Sequence, residues 1–279
     1  PAIINNERKK LSDRDMNALS SWDEYLQAVN SYVLMNSSKT TEEKLLHIYK
    51  SMEHGEKAIA LDPNHSSAFN LLAQAYNYLI FESSAQDKRA ENDIKFREYT
   101  EKAFQLDPQN PDSIMNMGFI AFLDGDRNRF KDYVNKAFEV NPHHSRTLRA
   151  KGMNLVEDGK DFTAAIDAFT KAAEIDPLGE HYGQTVIFFC HLGNRDWENA
   201  NQSLDREMRE NNHSRYFGFK AVVLAHQGKV EESKEWLSKY QKERPEIKNI
   251  EDYRTVAPSL NEQIKNLLIE GMKMAGLPE

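Results

Sequence analysis

The chain has 279 residues, 29% charged and 39% hydrophobic, with 44 acidic and 36 basic side chains and a formal net charge of −8. That balance argues against a general nucleic-acid binder, which carries a basic footprint, and against an anionic membrane surface as partner. The single cysteine, Cys190, excludes an internal disulfide, and no run of about 18 apolar residues is present to span a bilayer.

In chain order, residues 1–20 are a lead-in, with no charged-then-apolar leader. Because the first residue is Pro1, the chain is expected to be either processed or a piece excised from a longer protein. Trp22 to Met35 reads as an amphipathic helix with Trp22, Tyr25, Leu26, Val29 and Val33 on one face. A polar loop follows from Asn36, and Thr41-Glu42-Glu43-Lys44 starts a helix that runs to Leu61. Residues 21–65 are thus a degenerate N-terminal helical pair.

From residue 66 to 245 the chain is punctuated. Helical stretches stop at Leu61-Asp62-Pro63, Leu106-Asp107-Pro108, Val140-Asn141-Pro142, Ile175-Asp176-Pro177, Asn211-Asn212 and Glu243-Arg244-Pro245, at spacings of 45, 34, 35, 35 and 33 residues. A fixed period in this range marks a helical solenoid. Between Pro111 and Pro142, Ile114, Met117, Gly118 and Ala121 form the apolar stripe of a first helix. Gly125 marks a turn, and Phe130, Val134 and Ala137 mark a second helix. Leu148, Gly152, Leu155, Gly159, Ala165, Phe169 and Ala172 repeat the pattern, as do Phe217, Ala221, Leu224, Gly228, Val230, Leu237 and Tyr240. The fifth unit is the loosest, with Tyr182, Val186, Phe189, Gly193, Ala200 and Leu204, and with Asn212 in the proline slot. The 45-residue gap holds an insertion at about residues 81–93. After Pro245 the period ends, and residues 246–279 close the chain with a capping helix expected from Ser259.

No catalytic pattern stands out. There is no phosphate-cradling glycine-rich loop, no Gly-x-Ser-x-Gly and no His-Glu-x-x-His. His143-His144 reads as a solvated turn and not as a metal site, because adjacent side chains splay apart. Cys190 reads as a buried structural thiol. No cofactor, metal site or enzymatic activity is expected of these residues.

The aromatic, Leu-Gly, Gly, Ala-x3-Phe-x2-Ala and Pro positions resemble the tetratricopeptide repeat. The likeness implies an all-α, right-handed superhelical solenoid of about six helix-turn-helix units with a C-terminal capping helix. It also implies that the first helix of each unit lines a concave groove. The residues that fall on the family's groove positions are Asn70, Gln74, Asn77 and Tyr78; Met115, Phe119 and Phe122; Arg149, Met153 and Val156; Ile187 and His191; and His226. Such a groove binds a peptide or partner protein. Met and Phe take apolar anchors, and amides pair with peptide main chain.

The two ends resemble a narrower group. Glu7-Arg8, Ser21-Trp22-Asp23-Glu24-Tyr25-Leu26, Ala58-Ile59-Ala60-Leu61-Asp62-Pro63 and Ala275-Gly276-Leu277-Pro278 are similar to the C-terminal repeat region of bacterial class III adenylate/guanylate cyclases and of ToxR-type winged-helix regulators. This implies a non-catalytic interaction or sensor module that regulates an attached output domain, on the cytoplasmic side with the periplasm as alternative. A small-molecule sensor and a scaffold subunit of an enzyme complex stay open as alternatives, as does a homodimer.

Overall fold

The computed structural model describes residues 16–38, 40–177, 181–210, 213–258 and 261–279, and these residues fold as α-helices joined by turns. The helices are α1 (Met16–Ser37), α2 (Thr41–Leu61), α3 (Ser66–Phe81), α4 (Arg89–Leu106), α5 (Pro111–Leu123), α6 (Arg127–Val140) and α7 (Ser145–Asp158). They continue with α8 (Phe162–Ile175), α9 (His181–Gly193), α10 (Trp197–Glu210), α11 (Arg215–His226), α12 (Val230–Glu243), α13 (Ile250–Val256) and α14 (Glu262–Ala275). Successive helices pair as hairpins: α1 with α2, α3 with α4, α5 with α6, α7 with α8, α9 with α10 and α11 with α12. The expected units are therefore all present among the described residues. The Glu7-Arg8 motif, Ser259 and the Asn211-Asn212 stop lie outside the described residues.

The proline punctuation works through the residue before each proline. A following proline ring disfavours the helical region for its predecessor and pushes it to extended backbone. Asp62, Asp107, Asn141, Asp176 and Arg244 all sit at φ between −129° and −146° with ψ between 67° and 97°. Each still donates its N–H to the carbonyl four residues back, so the helix ends with its last turn satisfied. In the first four cases that carbonyl belongs to a buried alanine, Ala58, Ala103, Ala137 or Ala172. Stop and close helix contact are thus encoded four residues apart.

The starts are equally local. Thr40, Asn110, Asp126, Asp161, Asn249 and Asn261 accept a backbone N–H from the first turn of their helices through their side chains. Gly125, Gly159 and Gly228 take the left-handed conformation at the hairpin turns. Gly193 does not. Arg195 takes the positive φ of that turn, and a β-carbon on Gly193 would lie 2.5 Å from the ring of Phe162. This glycine is required by packing and not by the turn.

Contacts divide the chain into two compact units, residues 1–142 and 143–279. In the first, Phe69, Leu72, Ala73, Ile80, Phe96, Tyr99 and Ala103 form one buried cluster, and Met35, Ile48, Ala75, Leu79 and Ala85 form another. Residues 81–93 are the last residue of α3, a short 3-10 turn (Ser83–Lys88) and the first turn of α4. In the second, one continuous core runs from Val156 to Leu277 and includes Phe188, Phe189, Phe219, Leu268 and Met272. Among the described residues no helix is long and apolar enough to cross a membrane.

Candidate functional site

The residues placed in the groove by sequence divide into those that pack and those that stay accessible. Asn70 is buried. It donates to Ser113 Oγ at 2.9 Å and accepts from Asn116 Nδ2 at 3.2 Å, which ties α3 to α5. Gln74 spans the same joint, donating to Asp112 at 3.0 Å. Met115 and Val156 are fully buried in their units. These positions hold neighbouring helices together and do not line an open groove. The reason is chemical. Short polar side chains at a helix–helix joint satisfy one another, and a buried polar atom left without a partner is costly.

Asn77, Tyr78, Phe119 and Phe122 are half-buried. Asn77 Oδ1 is shielded from water without a hydrogen-bond partner. The Tyr78 hydroxyl donates to Glu82 at 3.0 Å. Phe119 packs on the α3–α4 core and on Phe130. Phe122 meets the exposed Phe81 edge-on at 6.4 Å, and the Arg127 guanidinium stacks over it at 4.1 Å. Arg149, also placed in the groove by sequence, donates to Asp176 at 3.0 Å, so its charge is directed at the end of α8. Met153 is half-buried beside it on α7.

In the second unit the first-helix face is occupied by the chain itself. Helix α14 packs against α9, α11 and α12. His226 stacks on Trp197 at 4.3 Å and donates from Nε2 to the Leu267 carbonyl at 3.0 Å. Asn261 Nδ2 donates to the Val156 carbonyl and Gln263 Nε2 to the Gly193 carbonyl at 2.9 Å. Leu267, Leu268 and Met272 complete the core behind them. Val156 and His226 therefore hold the capping helix, and the groove that they were expected to offer a ligand is filled.

A cleft of about 450 Å³ opens in this unit between α8, α9 and α10. Helix α8 supplies Ile166, Thr170, Ala173 and Glu174, and α9 supplies Gln184, Ile187 and His191. Helix α10 supplies Asn199, Gln202, Ser203 and Arg206. Each set follows three- and four-residue spacing and so projects from one helix face. Of the residues placed in the groove by sequence, Ile187 and His191 are the two in this lining. Gln184 lies on the same helix but off the groove register, and the other eight were missed because they sit on second helices. The legible signal was the amide and hydroxyl stripe of α10, Asn199, Gln202 and Ser203.

The electrostatics of the cleft are mixed. His191 Nδ1 lies 3.4 Å from Asp196 Oδ2. Burial holds the imidazole below its ordinary pKa, against the opposing pull of Asp196. Asp196 caps α10, accepting from the backbone and side chain of Asn199, and these bonds with the His191 contact hold its carboxyl below the usual range. Cys190 beside it is fully buried, and burial pushes its thiol up to about 12. A thiol in that state is not a nucleophile. At the other hairpin start, His144 pairs with Thr147 Oγ1 at 2.7 Å and lies at the N-terminus of α7.

The architecture has solved counterparts. PilW, described as a widely conserved type IV pilus biogenesis factor, superposes with a TM-score of 0.51 at 17% identity, over 75% of this chain and 88% of that one. The fold is that of a tetratricopeptide-repeat protein. Looser matches are yeast Tom70 (TM-score 0.47, 13% identity, 94% of this chain and 54% of that one) and the thermophilic TPR protein TTC0263 of Thermus thermophilus (0.41, 15%, 60% and 99%). A family model described as regulator of microtubule dynamics protein 1-3 matches residues 18–122, less than half of the chain. No curated protein matches the chain in sequence.

Proposed function

We propose that this chain is a non-catalytic recognition module that binds a segment of a partner protein in the cleft between α8, α9 and α10. The observation that carries the reading is the occupancy of the second unit. Helix α14 packs on the first helices α9 and α11, and the recess between α8, α9 and α10 stays accessible, with the amides and hydroxyls of Thr170, Gln184, Asn199, Gln202 and Ser203 in its lining. Such side chains offer both donors and acceptors, as a peptide main chain does. In the finer form of the reading, partner binding regulates an output domain attached in a longer protein.

A photo-crosslinking residue placed at Thr170 or Gln202 in the full chain tests the site. Capture of one defined segment of a protein from cells of the source, lost when Gln184 and Ser203 are both changed to bulky side chains, is the expected result. Crosslinks to no protein, together with a thermal shift from a small metabolite, would replace this reading with that of a small-molecule sensor. The family-model match over α1 to α5 favours a second reading, in which the chain serves an assembly that regulates microtubules. Co-sedimentation with polymerised tubulin, in the presence of the captured partner, checks it.

A further inference from the structure

Resting on the peptide-binding reading above, we infer that the cleft selects an extended segment in which a basic residue stands next to an acidic one. Three observations lead there. The first is length. The α8 lining runs from Ile166 to Glu174, eight steps of about 1.5 Å each, or about 12 Å. An extended chain advances about 3.4 Å per residue, so about four residues fit along α9.

The second is depth. Ile166 and Ala173 on one wall and Ile187 on the floor are apolar and half-buried, while Gln184 and Ser203 stand beside them. A main chain laid there loses water from below and meets amide and hydroxyl groups. Side-chain recognition is therefore left to the walls.

The third is charge. Helices α8 and α10 are the second helices of consecutive hairpins, and α9 lies between them as the floor. Glu174 stands late in α8 and Arg206 late in α10, and Gln184 stands early in the intervening helix. The two charges thus share one end of the cleft and occupy opposite walls. Successive side chains of an extended chain point to opposite sides. A residue directed at Glu174 is followed by one directed at Arg206. The complementary pair is a lysine or arginine next to an aspartate or glutamate.

The test measures anisotropy of labelled hexapeptides on the full chain, each with a central pair flanked by valine and glycine. The pairs are Lys-Asp, Lys-Lys and Asp-Asp, and a Lys-Ala-Asp peptide places both charges on one wall. Exposed ion pairs contribute modestly, so Lys-Asp is expected to bind about threefold more tightly than each of the others. Glu174→Lys should move the preference to Asp-Asp, and Arg206→Glu should move it to Lys-Lys. Glu251→Lys on α13 makes the same change of net charge away from the cleft and should leave the order unaltered. Equal binding of all four peptides, or an order unmoved by Glu174→Lys, overturns the inference. Crosslinking of the same peptides from Thr170 separates the two failures. Peptides held in the cleft without a charge preference sink only the selectivity, and peptides that never reach it sink the site as well.

Discussion

At the scale of single residues, His191 links the cleft to stability. Its side chain is 17% exposed and lies against Asp196, and burial outweighs that carboxylate, so the folded pKa is below the ordinary value of 6.5. The sign follows from proton binding. When pH falls through about 6.5 the unfolded chain takes up this proton before the folded one, so stability present at neutral pH is lost progressively as pH drops toward the folded value. The melting temperature of the native chain should therefore fall more steeply between pH 7 and pH 5 than that of His191→Gln. A residual slope is expected in the variant, because burial and the neighbouring Arg215 and Arg244 also hold His213 low. Identical slopes for the two proteins would refute the assignment.

The same scale shows what sequence could and could not convey. Gly152 was legible as a glycine of the repeat, and a β-carbon there would lie 2.7 Å from the Phe169 ring. Gly193 looked like a turn glycine and is another packing glycine. A sequence gives spacing but not which neighbour arrives. Asn70 and Met115 fell on groove positions by register. Their burial depends on Ser113, Asn116 and the adjoining helices, which a one-helix pattern does not contain.

At the scale of elements, the five proline stops were written locally and survive as helix ends. The role of α14 was written only in part. Ile264, Leu267, Leu268, Gly271 and Met272 announce an amphipathic helix, but the face that it would cover is set by α9, α11 and α12. Gly271 is the tightest point of that contact, since a β-carbon would meet Val222 at 2.5 Å. Leu268 is fully buried behind it. Truncating such a leucine removes its transfer energy and leaves a cavity, at about 2–5 kcal/mol. Leu268→Ala should lower the urea midpoint accordingly. Met274→Ala, on the exposed face of the same helix, should move it by less than about 0.5 kcal/mol. Equal effects would mean that α14 does not hold the core.

At the scale of the molecule, residues 143–279 form a compact unit with one core that includes its own capping helix. In repeat arrays each unit contacts mainly its neighbours, so stability is close to a sum of local terms. The fragment 143–279 contains hairpins α7–α8, α9–α10 and α11–α12, the helices α13 and α14, and all eleven lining residues of the cleft. It has 137 residues by its bounds, enough for a two-state core without partners. Expressed alone it should be helical, melt cooperatively and bind the Lys-Asp peptide within about twofold of the full chain. Circular dichroism and the same anisotropy assay check both points. A fragment that folds but does not bind would place part of the recognition surface in residues 1–142. A fragment that melts without cooperativity would mean that the second unit depends on the first for its fold, and the cleft would then be a property of the entire array.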